Sequence, residues 1–228
     1  MLLGILPILI LSMLALTLIS ENASQKIITE QIRERMDAEL EANVNDIDSY
    51  LEVVRNTAMN LSRTVGTTYQ STDMDTYGEA FSQIIKDNDL IMGSGIWFEP
   101  QVYDRNETYM GPYWYKDGED IVLTYDYSNA EYDYFAQEYY LLAKESDGKA
   151  VITDPYYDPT MDVIMASCTA PVYGADGKFI GAVTVDMALG AIEELVNGIR
   201  IGENGYAMLT TAGGTYLCCE EEEKYCRG

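Results

Sequence analysis

The chain has 228 residues, with 38 acidic and 14 basic side chains, no histidine and 47% apolar residues, enough apolar material for a folded core, so disorder is excluded for most of its length. A formal charge of -24 with no Lys/Arg-rich stretch repels phosphate backbones and excludes nucleic acid as a partner. Without histidine, histidine triads, zinc-protease motifs and His-based metal sites are excluded too, and no metal or cofactor is expected.

Met1 to Ser20 (MLLGILPILILSMLALTLIS) carries no charge. As a helix it reaches roughly 30 Å, the thickness of a hydrocarbon core. The segment predicts a single transmembrane helix over 1–20. A cleaved signal peptide is the rival reading, against which stand the length of the apolar run and the lack of an A-x-A-like site. The acidic bulk, with Lys26, Arg33 and Arg35 as its nearest cations, is expected outside the cell membrane. From Ile28 to Val65 the apolar residues Ile28, Ile32, Met36, Leu40, Val44, Ile47, Leu51, Val54, Ala58, Leu61 and Val65 recur every three or four positions. This is the pattern of one long amphipathic helix over 21–66, ended by Gly66. Such a helix could be a coiled-coil stalk, a dimerisation helix or the spine of a domain packed beside it.

A polar break at 70–75 precedes a second helical stretch, Tyr77 to Lys86, after which the texture turns to strands. IMGSGIWFEP (91–100) is a strand candidate, and GPYWYKDGEDIVLTYDY (111–127) reads as two β-rich runs about Lys116-Asp117-Gly118, a hairpin signal. Tyr134 to Lys144 has helical composition. VIMASCTAPVY and KFIGAVTVDMAL, joined by Gly174-Ala175-Asp176-Gly177, form a second antiparallel pair; Ala191 to Ile199 returns to helix, and GYAMLTTAGGTYL (205–217) reads as two short strands about a Gly-Gly turn. The order is α+β with an antiparallel sheet, not a parallel wound sheet. Cys168 stands alone in a strand, and Cys218, Cys219 and Cys226 crowd the end of the sequence, a pattern of unpaired thiols rather than a disulfide framework or zinc site. A sequence that stops directly after a strand pair suggests that more protein follows.

The order of membrane helix, long helix and Tyr-rich antiparallel sheet, with EYDYFAQEYYLLAK (131–144), ITDPYYDPTMDVIMASCTAPVY (152–173), GKFIGAVTVDMAL (177–189) and GENGYAMLTTAGGTYL (202–217), resembles the double Cache sensor domain. Such domains form the extracytoplasmic part of bacterial chemoreceptors, sensor histidine kinases and diguanylate cyclases. The resemblance implies a long membrane-anchored helix packed along PAS-like sheet modules, with a complete membrane-distal module over 67–200 and the start of a membrane-proximal one over 201–228. It implies a small-ligand sensor, first of all of the methyl-accepting chemotaxis type, with no catalytic residues, dimerising through the long helix.

Amino-acid-binding members of that family use a tyrosine, an Arg-x-Trp-aromatic group, a Tyr-x-Asp group and an aspartate on a later strand. The positions matched here are Tyr132, then Gln137, Tyr139 and Tyr140, then Tyr156 and Asp158, then Asp186. The arginine and the tryptophan are not kept. An arginine clamps a ligand carboxylate through two charge-assisted hydrogen bonds that glutamine cannot reproduce, and no arginine occurs between Arg105 and Arg200. What survives is the half that would hold an ammonium group: two carboxylates among phenol rings. The resemblance, so amended, implies a small amine, quaternary ammonium or amino-acid-like ligand; a carboxylate held by Lys144 and backbone N–H groups is the competing reading. Outside the matched motifs a single tyrosine reads as sheet or core, closing a turn is the competing role of Asp158, and Trp97 and Trp114 read as core. Asp186 is more telling, because a charge inside GAVTVDMAL wants a partner. Two further classes remain: a glycosidase using a pair such as Glu99 and Asp158, and a stalked surface adhesin.

Overall fold

The computed structural model describes residues 2–158, 160–201, 205–206, 208–210 and 216–219, and the side chains of 9–158, 160–194, 196, 198–199 and 208–210. The chain forms two units, one of Met1–Asp46 with Arg200–Gly205 and one of Ile47–Ile199 with Tyr206–Gly228.

Helix α1 (Leu2–Thr68) runs through Gly66 rather than stopping there. The glycine serves a close approach instead: a Cβ at Gly66 would fall onto the carbonyl oxygen of Tyr173. In the first unit α1 carries Ile28, Ile32, Met36, Leu40 and Val44 exposed to 46–55%. The expected anchor over 1–20 lies partly outside the described side chains, which begin at Leu9, and among the described residues no helix is long and apolar enough to cross a membrane. In the second unit the same three-and-four spacing turns inward, and Val54, Ala58, Leu61 and Val65 are buried. Helix α2 (Met74–Lys86) begins at Asp73, whose carboxylate accepts from the Thr76 N–H (2.8 Å), and buries Tyr77, Phe81 and Ile85, one turn apart.

The sheet is antiparallel. Its strands are β1 (Ile91–Phe98), β2 (Tyr113–Asp117), β3 (Asp120–Thr124), β4 (Val151–Ile152), β5 (Tyr156–Asp158), β6 (Val163–Tyr173) and β7 (Phe179–Ala188), in the order β3-β2-β1-β7-β6-β4, with β5 also paired to β6. The expected helix over 134–144 is instead a 3-10 turn (Tyr134–Ala136) and α3 (Glu138–Glu145), separated by Gln137, whose extended backbone (φ -76°, ψ 147°) breaks the helical run. Helix α4 (Leu189–Asn197) and the short strands β8 (Arg200–Ile201), β9 (Gly205–Tyr206), β10 (Met208–Thr210) and β11 (Tyr216–Cys219) follow, with β10 paired to β11. The Gly213-Gly214 turn and Cys226 lie outside the described residues, as do the side chains of Cys218 and Cys219.

Each face of the sheet has its own core. Ile96, Phe98, Ala166, Cys168, Ala170, Val172, Val183, Val185 and Met187 pack with the buried stripe of α1 and with Phe81 and Ile85 of α2. Trp97, Tyr113 and Ala182 pack on the other side with Tyr127, Tyr134, Tyr139, Tyr140 and Ala143. Residues of opposite character therefore alternate along β7, and Thr184 and Asp186 face the aromatic side.

A candidate ligand site between two carboxylates

Asp186 sits near the end of β7, in register with Ser167 of β6 and Gly93 of β1, where a bulge interrupts the β1–β7 ladder. Tyr156 and Asp158, two apart on β5, face the same side. With Asp186, Trp97, Tyr113, Tyr127, Tyr132, Tyr139, Met165 and Thr184 they line a small hollow of about 10 Å³. None of these lining residues is Lys or Arg.

The two carboxylates differ in how they are satisfied. Asp158 is 2% exposed, and its Oδ1 accepts from the N–H groups of Thr160 (2.8 Å) and Met161 (2.9 Å) while the Tyr127 hydroxyl donates to both oxygens (3.2 Å each). It is thus both a turn residue and a wall of the hollow. Asp186 is also 2% exposed. Trp97 Nε1 donates to Thr184 Oγ1 (3.0 Å), which donates to Asp186 Oδ2 (3.3 Å), while Oδ1 has no partner. Burial above all raises this carboxyl to about 7, against the pull of the neighbouring Ser167, Tyr113 and Thr184 hydroxyls and with a further push from the charge of Asp158. The phenols respond to the same surroundings: burial raises Tyr132 to about 12, and Tyr113, Tyr139 and Tyr156 well above their ordinary value, with the Asp186 charge adding to each.

Of the positions marked in the sequence, Tyr132, Tyr139, Tyr156, Asp158 and Asp186 meet at this hollow, and Gln137 and Tyr140 do not. Gln137 spends its amide locally, donating to the Tyr132 carbonyl (2.9 Å) and so bracing the segment that carries Tyr132. Tyr140 turns away to pack on Tyr134, Phe135 and Phe179. Lys144 is engaged by Glu99 (2.7 Å) and stands over the Phe179 ring, 5.4 Å from its centroid. Neither Lys144 nor Glu99 lines the hollow, which removes Lys144 as a carboxylate clamp there and Glu99 as partner of Asp158 in a glycosidase pair. Trp97, read as core, is both: it is 3% exposed, lines the hollow and packs on Tyr113, Tyr127, Tyr134 and Tyr139 at 5.1–6.0 Å between ring centroids. Tyr113 and Tyr127 carried no signal in the sequence beyond strand-like and turn-like composition.

Two roomier hollows lie elsewhere in this unit. One, between α1 and α2, is lined by residues such as Thr57, Leu61, Ile84 and Ile91; the other, on the α1 side of the sheet, by Leu51, Leu90, Pro155, Met187 and Ile192 among others. Each has one carboxylate, Asp87 or Asp154, among its lining residues. The smaller hollow is distinguished by its chemistry rather than by its size.

Known proteins share this fold. McpC, a methyl-accepting chemotaxis protein of Bacillus subtilis, is 30% identical over 87 residues, which is 38% of this chain and 13% of McpC. The chain therefore spans a small fraction of the curated chemotaxis proteins it matches. A solved structure of a methyl-accepting chemotaxis protein X is 25% identical, with a TM-score of 0.72, covering 82% of this chain and 74% of that one. The ligand-binding domain of the Campylobacter jejuni chemoreceptor Tlp3, solved in complex with 4-methylisoleucine, shares the fold at 13% identity, with a TM-score of 0.64 over 82% of this chain and 68% of that one. Residues 77–194 match the family described as methyl-accepting chemotaxis protein-like, first PDC sensor domain, and the chain belongs to that family.

Proposed function

We propose that the chain is the ligand-sensing, extracytoplasmic region of a bacterial transmembrane chemoreceptor, and that its hollow takes a small cation, an amine or the ammonium end of an amino-acid-like compound. The observation that carries this reading is the Asp186 carboxylate, buried with one oxygen unpaired, beside a second carboxylate and with no cation among the lining residues. An ammonium ion supplies the missing hydrogen bonds and charge, and the rings of Trp97, Tyr139 and Tyr156 offer faces to it. The Tlp3 domain was solved with an amino acid; a carboxylate on such a ligand would find no arginine or lysine here, which favours amines over zwitterions.

At about 10 Å³ the hollow has room for about one water molecule, far below the roughly 300–1,000 Å³ usual for small-molecule sites. A ligand must therefore displace part of the wall, and the segment bearing Tyr127 and Tyr132 lies outside the sheet ladder. The sheet behind it is continuous with the core that holds α1 from Leu51 to Val65. Signalling then follows from a ligand-dependent shift of that helix of about 1–2 Å, the usual size of such switches. The apolar stretch 1–20 is read as the membrane anchor, 67–200 as the distal module, 201–228 as the start of the proximal one, and the exposed apolar residues 28–44 of α1 as the surface that pairs two copies. Calorimetric titration of the purified chain with amines, amino acids and simple carboxylates tests the ligand class: saturable binding of amines is expected, and binding confined to carboxylates overturns the reading.

A further inference from the structure

Among the described residues four buried side-chain atoms lack a hydrogen-bond partner, and two of them, the Tyr113 hydroxyl and Asp186 Oδ1, belong to residues of this one hollow. Both residues are 2% exposed. The phenol of Tyr113 lies near enough to favour the charged form of Asp186, yet neither orphaned atom completes a bond with the other. The backbone puts the phenol there. Gly93 is paired with both Tyr115 of β2 and Asp186 of β7, and the Tyr113 ring fills the space its side chain would take: a Cβ at Gly93 would lie 2.6 Å from Tyr113 Cζ and closer still to the hydroxyl. Oδ2 of Asp186 is already served by Thr184, so the unmet demand is localised to one carboxylate oxygen and one phenol oxygen.

We propose that Tyr113 and Asp186 together select a protonated amine that keeps at least one N–H, and reject ammonium ions whose nitrogen is fully methylated. The proposal rests on the cationic reading of the hollow and narrows it. Asp186 Oδ1 and the Tyr113 oxygen accept from the amine, and the phenol O–H is free to turn to the carboxylate. A quaternary nitrogen presents only alkyl groups, leaves both oxygens unpaired in a site shielded from water, and demands a larger displacement of the wall of a hollow of about 10 Å³.

The test is calorimetric titration of the full chain in detergent, at pH 8, with n-propylamine and its N-methyl, N,N-dimethyl and N,N,N-trimethyl derivatives. A drop in affinity of about tenfold or more is expected at the last methylation, where the final N–H is lost, since one charge-assisted hydrogen bond corresponds to at least that factor. In Tyr113→Phe, with an unchanged circular dichroism spectrum, the loss at the last methylation is expected to persist, Asp186 still accepting the final N–H, whereas the smaller loss shown by the unaltered chain between the N-methyl and N,N-dimethyl ions, where one of two acceptors goes unserved, is expected to disappear. Equal or tighter binding of the trimethyl ion by the unaltered chain overturns the selection while leaving a cation site in place. An unchanged loss between the N-methyl and N,N-dimethyl ions in Tyr113→Phe overturns the role of Tyr113. Binding of none of the four ions overturns the cationic reading itself, and the proposal with it. Should Tyr113→Phe not fold, the methylation series on the unaltered chain decides by where its step falls.

Discussion

Asp186 lies on a strand that keeps water from it, and burial moves its carboxyl from the ordinary 3.8 to about 7. The titratable groups that share its hollow are Tyr113 from β2, Tyr127 and Tyr132 from the loop after β3, Tyr139 from α3, and Tyr156 and Asp158 from β5, with no cation among them. Between those two pH values the folded chain binds more proton than the unfolded one, so stability falls as pH rises through this window. The cost of ionising Asp186 at pH 8 is on the order of 4 kcal/mol. Asp186→Asn removes it, and urea unfolding is expected to show a higher midpoint for the variant at pH 8 and little difference at pH 4; equal differences at both would show that Asp186 is not charged at cost. The proton also competes with a bound cation, so apparent affinity for an amine should fall as pH drops below about 7, toward tenfold per unit. An affinity flat from pH 5.5 to 8 would remove Asp186 from the site. Asp186 was legible in the sequence because a charge in an apolar strand is conspicuous. Tyr113 and Tyr127 were not, because a tyrosine that fills a wall and one that fills a sheet have the same local pattern.

Helix α1 shows how an element can be read correctly and its end misread. Its stripe from Ile28 to Val65 dictates a helix, but Gly66 looks like a stop only while the neighbouring strand is out of view. The glycine lets the helix backbone meet the end of β6 at Tyr173, and one turn earlier Ser62 donates its hydroxyl to the Pro171 carbonyl from a buried position. Gly66→Ala should therefore cost about 1–3 kcal/mol through overpacking against backbone that cannot yield, although alanine is the better helix former. An unchanged or raised urea midpoint would show that the contact is loose. The hairpin and the long strands β6 and β7 were legible from alternating or continuous apolar runs bounded by turn residues. The division of 134–145 into a 3-10 turn and α3 was not, since Gln137 has no helix-breaking chemistry and is held extended while its amide bonds the Tyr132 carbonyl.

At the scale of the whole molecule, the signalling proposed above is expected to run through α1, because Val54, Ala58, Leu61 and Val65 share one core with Val185 and Met187, the neighbours of Asp186 on β7. A scan of single cysteines across residues 40–60, in a chain cleared of its four native cysteines, should show cross-linking between copies whose rate at some positions changes when an amine is added; rates indifferent to ligand throughout would break the link between binding and helix movement. The amino-acid sequence alone determined that this is an acidic α+β protein with a long amphipathic helix, a Tyr-rich antiparallel sheet and an apolar first segment, since hydrophobic periodicity and turn chemistry act over a few residues and survive without any fold. It also marked the tyrosines and aspartates whose spacing resembles a sensor. Only the tertiary structure decided which of them meet. Strand order sets β1 against β7, so Trp97 and Tyr113 stand beside Asp186 though far from it along the chain, while Gln137 and Tyr140, inside the marked motif, turn elsewhere. A site is a matter of register and side-chain direction, and both are fixed by packing across the sheet rather than by neighbours in sequence.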